Sequence, residues 1–169
     1  MRLADKLNAL YDGDARDALL NCCAAENWIS GMLAARPFAS DDAVFAACDQ
    51  VAATLTESDW LEAFAAHPLI GDVDTLRKKY AATKQLAAGE QSGVDAASEA
   101  TLRELAILNQ AYLAKFGFIF IVFATGKTAD QMLAILKTRI NNSRERELVS
   151  AAAEQLKITR LRLAKRIDS

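Results

Sequence analysis

One histidine occurs in the 169 residues, His67, and it stands in the stretch "FAAHPLIGD" from Phe64 to Asp72. Imidazole is the side chain whose ordinary pKa lies closest to neutrality, so it exchanges protons most readily there. Pro68 fixes the backbone directly after it, and Gly71 is expected to let the chain leave the corner sharply. The same imidazole is also suited to capping the last carbonyls of a helix that ends at the proline. Two further groups have chemistry in their spacing. Glu90-Gln91 sets a carboxylate acceptor beside an amide donor, which matches an amide-rich or ureido-bearing ligand and is also an ordinary solvated loop pair. Arg162, in "KITRLRL", offers a guanidinium to a carboxylate or carbonyl oxygen, with Arg160 as its competitor. Both arginines are also compatible with stems that snorkel over apolar surface.

Other chemistries are excluded. Gly126-Lys127-Thr128 resembles the end of a phosphate loop, but the first glycine of that motif would fall at position 121, which is Ile121. Thr128 reads instead as a helix cap. Cys22, Cys23 and Cys48 are odd in number and lack C-x-x-C spacing, and one histidine does not complete a zinc set, so no metal is expected and all three read as small core residues. Twenty basic side chains against 22 acidic ones leave a formal charge of -2 and no basic footprint, which argues against a nucleic-acid partner. No apolar run approaches the roughly 20 residues of a membrane span, and Arg2 and Asp5 fall where a signal peptide would be apolar. A cytoplasmic protein with no membrane association is the expectation.

The elements that must position these groups read as helical nearly throughout. A single all-α domain over 1–169, of about eight helices with no significant sheet, is expected. Asp14 is placed to cap a segment that runs to Arg36-Pro37, and Ser40 to cap a helix ending near Leu55. Ser58 would cap "DWLEAFAA", and Asp72 a short helix around Thr75 to Tyr80. Ala87 to Ser98 reads as a loop, after which Ser98 caps a helix with Leu102, Leu105, Leu108 and Leu113 on its apolar stripe and Gly117 at its end. Phe118 to Phe123 has strand-like composition but no partner run, so a buried irregular or helical path is expected. Thr128 and Ser143 cap the last two helices, the final one burying Leu148, Ala152, Leu156 and Leu163. Asp59, Glu62, Arg77, Lys78 and Lys79 read as solvated helix faces.

"RPF" at Arg36 to Phe38, "HPLIGD" at His67 to Asp72, "GEQSG" at Gly89 to Gly93, "FGFIFIVFATGKTADQML" at Phe116 to Leu133 and "EQLKITRLRL" at Glu154 to Leu163 occur in one order. Together they strongly resemble the 2-oxo-4-hydroxy-4-carboxy-5-ureidoimidazoline (OHCU) decarboxylases of urate breakdown, over nearly the whole chain. The resemblance implies an all-α, cofactor-independent homodimer that converts OHCU to (S)-allantoin with loss of carbon dioxide. It implies that His67 matches the family's catalytic histidine, with Pro68 beside the substrate. Glu90 and Gln91 fall on the family's glutamate-glutamine pair, and Ile119, Phe120, Ile121 and Val122 on its substrate-binding segment. Arg162 matches the arginine of the L-R-L motif, chosen over Arg160 because Leu163 follows it. The family segment often has proline where this chain has Ile119. From the residues alone, a non-catalytic helical binding or dimerisation module, with His67 as a cap and "FIFIVF" as an interface, is the reading of a different class.

Overall fold

Nine helices and no strand occur among the residues that the computed structural model describes, which are 1–86 and 94–166, with side chains described for 1–80 and 99–166. They are α1 (Leu3–Ala9), α2 (Asp12–Leu20), α3 (Glu26–Ala34), α4 (Asp41–Ala52), α5 (Glu57–Ala65), α6 (Val73–Leu86), α7 (Val94–Phe116), α8 (Ala129–Arg139) and α9 (Arg144–Lys165). The fold is all-α, as expected. The chain divides into two compact units, Met1–Ala66 with Ser150–Ser169, and His67–Val149.

In the first unit α3 packs against α2, α4 and α5, and α1 against α4. Trp28, Ile29 and Met32 of α3 are buried with Leu7, Val44 and Leu163. The one long segment expected from Asp14 to Arg36 is two helices, broken at 21–25. The reason lies in the adjacent cysteines. Neighbours on one helix point about 100° apart, yet Cys22 and Cys23 are both buried, at 1% and 3% exposure, which the break permits. Asp14 therefore lies in the first turn of α2 and is not a cap. The new helix start at α3 has no cap of its own; the Glu62 carboxylate accepts from the Glu26 N–H at 2.7 Å instead.

Ser40 caps α4 as expected, but α5 is capped by Thr56, not Ser58. Thr56 and Asp59 form a reciprocal capping box, and Asp59 also accepts from Asn27 Nδ2 at 2.7 Å. Those bonds, the Thr56 backbone N–H first, hold the Asp59 carboxyl below its usual range. Asp59 and Glu62 are thus structural, not merely solvated. Arg36 ends α1: its Nη1 donates to the carbonyls of Leu7 and Leu10 at 2.7 and 2.8 Å, and its Nη2 to Asp12. Asn8 and Phe38 exchange two bonds of 2.8 Å, side chain to backbone in both directions.

On α9, which Ser143 caps as expected through the Arg146 N–H, the buried row lies one position around from the expected one. Ala151, Gln155, Thr159 and Leu163 are buried, whereas Leu148, Ala152 and Leu156 are half-buried. Hydropathy misplaces the row because two of its members are polar. They satisfy each other: Thr159 Oγ1 donates to the Gln155 carbonyl at 2.9 Å, and Gln155 Nε2 lies 3.2 Å from that hydroxyl.

All three cysteines are free and buried, and burial pushes each thiol up, Cys48 to about 12. At pH 8 each is therefore protonated as well as covered. Ellman's reagent at pH 8 is expected to label none of them promptly in the native chain and all three in concentrated guanidinium; prompt native labelling would contradict this packing.

Candidate active site

His67 follows the Ala66 that closes α5, and it is half-buried, with Pro68 and Leu69 exposed after it. The segment is anchored downstream. Asp72 caps α6 by accepting from the Thr75 N–H at 2.8 Å and the Thr75 hydroxyl at 2.7 Å, which holds its carboxyl below the ordinary range. The capping matches expectation, although α6 extends well past Tyr80. Gly71 serves differently than expected: the glycines with positive φ among the described residues are Gly117 and Gly126. At Gly71 a Cβ would stand 3.1 Å from the Gln110 amide nitrogen, which donates to the Gly71 carbonyl at 2.5 Å. The glycine lets α7 approach the backbone closely.

The α6–α7 pair carries a forked ion pair, Arg77 Nε and Nη2 to the two Glu99 oxygens at 2.6 and 2.9 Å, so Arg77 too is structural. α7 already begins at Val94, so Ser98 lies inside it and not at its cap. Alanines 96 and 97 favour that extension. Leu102 and Leu105 are buried as expected, joined by Tyr112 and Phe116, while Leu108 and Leu113 are half-buried. Glu90 and Gln91 lie outside the described residues.

Gly117, at φ +81°, ends α7, and the chain from Phe118 to Ala124 has neither helix nor strand. Of the irregular and helical paths expected for this stretch, the structure has the irregular one, partly buried. Ile121 and Val122 are buried, and Ile119 and Phe120 half-buried. Backbone groups in such a stretch must find side-chain partners. Lys127 donates to the Phe123 carbonyl at 2.6 Å and stands over the Phe123 ring, so the lysine of the rejected phosphate motif fastens a loop. Thr128 caps α8 with Gln131 in a reciprocal box.

Arg139, at the end of α8, donates through Nη1 to the Ile121 carbonyl at 2.6 Å, and its guanidinium lies 4.8 Å from the Phe120 ring centroid. It is itself held by Glu147, fully buried, whose Oε1 accepts from Arg139 Nε at 2.8 Å and from the Tyr112 hydroxyl at 2.6 Å. Asn142 donates to Glu147 Oε2 at 2.9 Å. Burial and the Glu147 carboxylate push the Tyr112 phenol well above its ordinary range. The Tyr112 ring packs edge-on against Phe118 and Phe120. Sequence reasoning missed Tyr112, Arg139 and Glu147. The available signal was an arginine closing the helix that follows an aromatic run, but nothing in composition marks a charge as buried.

In the first unit the two candidate arginines differ. Arg160 Nη1 reaches both Asp49 oxygens, at 2.8 and 2.9 Å, and its guanidinium stacks on Phe45. Arg162 is half-buried and makes one hydrogen bond among the described residues, to the Cys22 carbonyl at 3.3 Å. Arg160 is thus committed to α4, and Arg162 has donors to spare. His67 and Ile119 to Val122 belong to the second unit and Arg162 to the first. Among the described residues no group of three or more His, Cys, Asp or Glu side chains is placed to hold a metal ion.

The family model for OHCU decarboxylase matches residues 8–164. This chain belongs to the OHCU decarboxylase family. A plant relative, the uric acid degradation bifunctional protein TTL of Arabidopsis thaliana, is 38% identical over 85% of this chain and 44% of its own length. The 2-oxo-4-hydroxy-4-carboxy-5-ureidoimidazoline decarboxylase of Haloferax volcanii is 26% identical over 97% of this chain and 95% of its own. A crystal structure of OHCU decarboxylase in the presence of (S)-allantoin is 37% identical, covers 90% of this chain and 99% of its own, and superposes with a TM-score of 0.70. This OHCU decarboxylase family chain spans less than half the length of the bifunctional relatives it matches.

The buried ion pair generates a stability expectation. Glu147→Gln leaves Arg139 charged, buried and short of its partner, and is expected to lower the unfolding free energy by about 3 kcal/mol, read by urea denaturation. A loss below about 1 kcal/mol, the scale of an exposed pair, would mean the pair is not the anchor described.

Proposed function

We propose that the chain decarboxylates OHCU to (S)-allantoin without a cofactor, acting as a cytoplasmic homodimer in urate breakdown. The observation that carries this reading is the family match over residues 8–164, together with a 37% identical solved structure described as an OHCU decarboxylase in the presence of (S)-allantoin. The reading is in keeping with three unpaired buried cysteines and with the lack, among the described residues, of any helix long and apolar enough to cross a membrane.

Loss of carbon dioxide without a cofactor requires that the substrate take up the electron pair of the broken bond. A ring conjugated to imine and carbonyl groups does so, and the protein has to orient the carboxylate and deliver a proton to one face. His67 exchanges that proton, with the substrate's 4-hydroxyl or with the reacting carbon, as the one side chain in the sequence with an ordinary pKa near neutrality. Pro68 lies against the substrate. Glu90 accepts from ring or ureido N–H groups and orients His67, and Gln91 donates to a carbonyl. Arg162 pairs with the oxyanion that develops as carbon dioxide leaves, which favours the transition state over the ground state. Its uncommitted donors support that choice over Arg160. Ile119, Phe120, Ile121 and Val122 contribute backbone groups to the substrate.

The test is the ultraviolet and circular dichroism time course of OHCU freshly made by urate oxidation. Accelerated decay to a single allantoin enantiomer is expected, and spontaneous racemic decay would favour the non-catalytic helical module. His67→Asn is expected to lower kcat about 100-fold or more; near wild-type production of optically pure product would remove the imidazole from the chemistry. Arg162→Lys, which keeps the charge but loses the planar fork, is expected to cost on the order of 100-fold in kcat. Unchanged kinetics in that variant would take Arg162 out of the scheme.

A further inference from the structure

The stretch from Phe118 to Ala124 has to hold one backbone path without a helix or strand to impose it. Its carbonyls at Ile121 and Phe123 are taken by cations that come from outside the stretch, Arg139 and Lys127. The two cations are not equivalent. Lys127 belongs to the turn that directly follows, so it moves with the loop it binds. Arg139 ends α8, is 9% exposed, and is fixed by a carboxylate that is fully buried. Its Nη2 is buried without a hydrogen-bond partner. The guanidinium carbon stands 4.8 Å from the Phe120 ring centroid, so the ring face is the neighbouring group that offsets this unmade bond. Arg139 thereby grips two consecutive residues of the stretch by different means, the carbonyl of Ile121 and the ring of Phe120.

We infer that Arg139 is a positioning residue for substrate binding: locked by Glu147 and Tyr112, it sets the backbone path that Phe120 to Val122 present to the ligand. The inference rests on the proposed reading that Ile119 to Val122 bind substrate. Arg139 does not itself touch the ligand, because its guanidinium is buried under the stretch it holds. A contact made through backbone groups that serve ground state and transition state alike affects KM more than kcat. The geometry also separates arginine from lysine, since an ammonium keeps the charge opposite Glu147 but cannot donate to Glu147 and Ile121 at once through a planar fork while stacking on Phe120.

The experiment measures Arg139→Lys and Tyr112→Phe beside the wild-type chain, with kcat and KM for OHCU, circular dichroism of the product, and thermal unfolding. Arg139→Lys is expected to raise KM about tenfold, with kcat within about threefold of wild type and product still a single enantiomer. Tyr112→Phe removes one of the bonds that hold Glu147 and is expected to raise KM about threefold. A merely structural role would lower the melting temperature and the folded fraction and leave KM unchanged, and that result in Arg139→Lys overturns the inference. If Arg139→Lys does not fold, an unchanged KM in Tyr112→Phe overturns it and a raised one supports it. An active wild type with unchanged KM in the variants sinks only this inference. A wild type inert toward OHCU sinks the functional reading and this inference with it.

Discussion

Glu147 is a carboxylate with no access to water, and the order of the second unit's irregular stretch runs back to it. A buried charge is tolerable only when its lone pairs are met and its charge is balanced. Arg139 supplies the balancing charge, and Tyr112 and Asn142 supply further donors. Arg139 is then held at the angle from which its Nη1 reaches the Ile121 carbonyl and its guanidinium meets the Phe120 ring. The cations near the helix ends act in the same sense: Lys115 donates to the Ile140 carbonyl and Arg144 to the Phe116 carbonyl, at 2.6 and 3.1 Å, where helix dipoles favour positive charge.

The first unit solves the same problem of helix ends with groups borrowed from elsewhere in the chain. Arg36 takes the last carbonyls of α1, Asp41 of α4 accepts from the Ala4 N–H at 2.8 Å, and Glu62 of α5 serves the start of α3. Short helices of seven to nine residues, such as α1 to α3, are marginal alone. Such borrowed caps tie α1 and α3 to their neighbours, so the "RPF" triplet reads as a fastening of the scaffold, with Phe38 returned to Asn8 by its paired bonds.

What the sequence made legible was local. Ser40, Asp72, Thr128 and Ser143 were readable as caps because a cap and its helix are neighbours in the chain. Phe118 to Phe123 was readable as not a strand because a strand needs a second strand, although a helical path stayed open. Non-local partners were not legible. The split at 21–25 depends on both cysteines entering one core, and the roles of Glu62, Asp59 and Arg139 depend on groups 36, 32 and 18 positions away. For the site, motif order pointed to His67, Glu90, Gln91 and Arg162 through resemblance, whereas residue type alone left His67 an ordinary helix end. Asp49 opposite Arg160 is non-local in the same way, 111 positions away, so only the coordinates show that Arg160 is committed to α4.

The Gln155–Thr159 pair lets α9 bury two polar side chains in a row that hydropathy alone would reserve for leucine and alanine. Both bonds run within the helix, so they are already made when α9 packs. At about 100° per residue, Arg162, seven residues beyond Gln155 and three beyond Thr159, falls on the same side of α9 as the pair, so one strip of the helix carries two polar side chains that bond to each other and a guanidinium that reaches the Cys22 carbonyl.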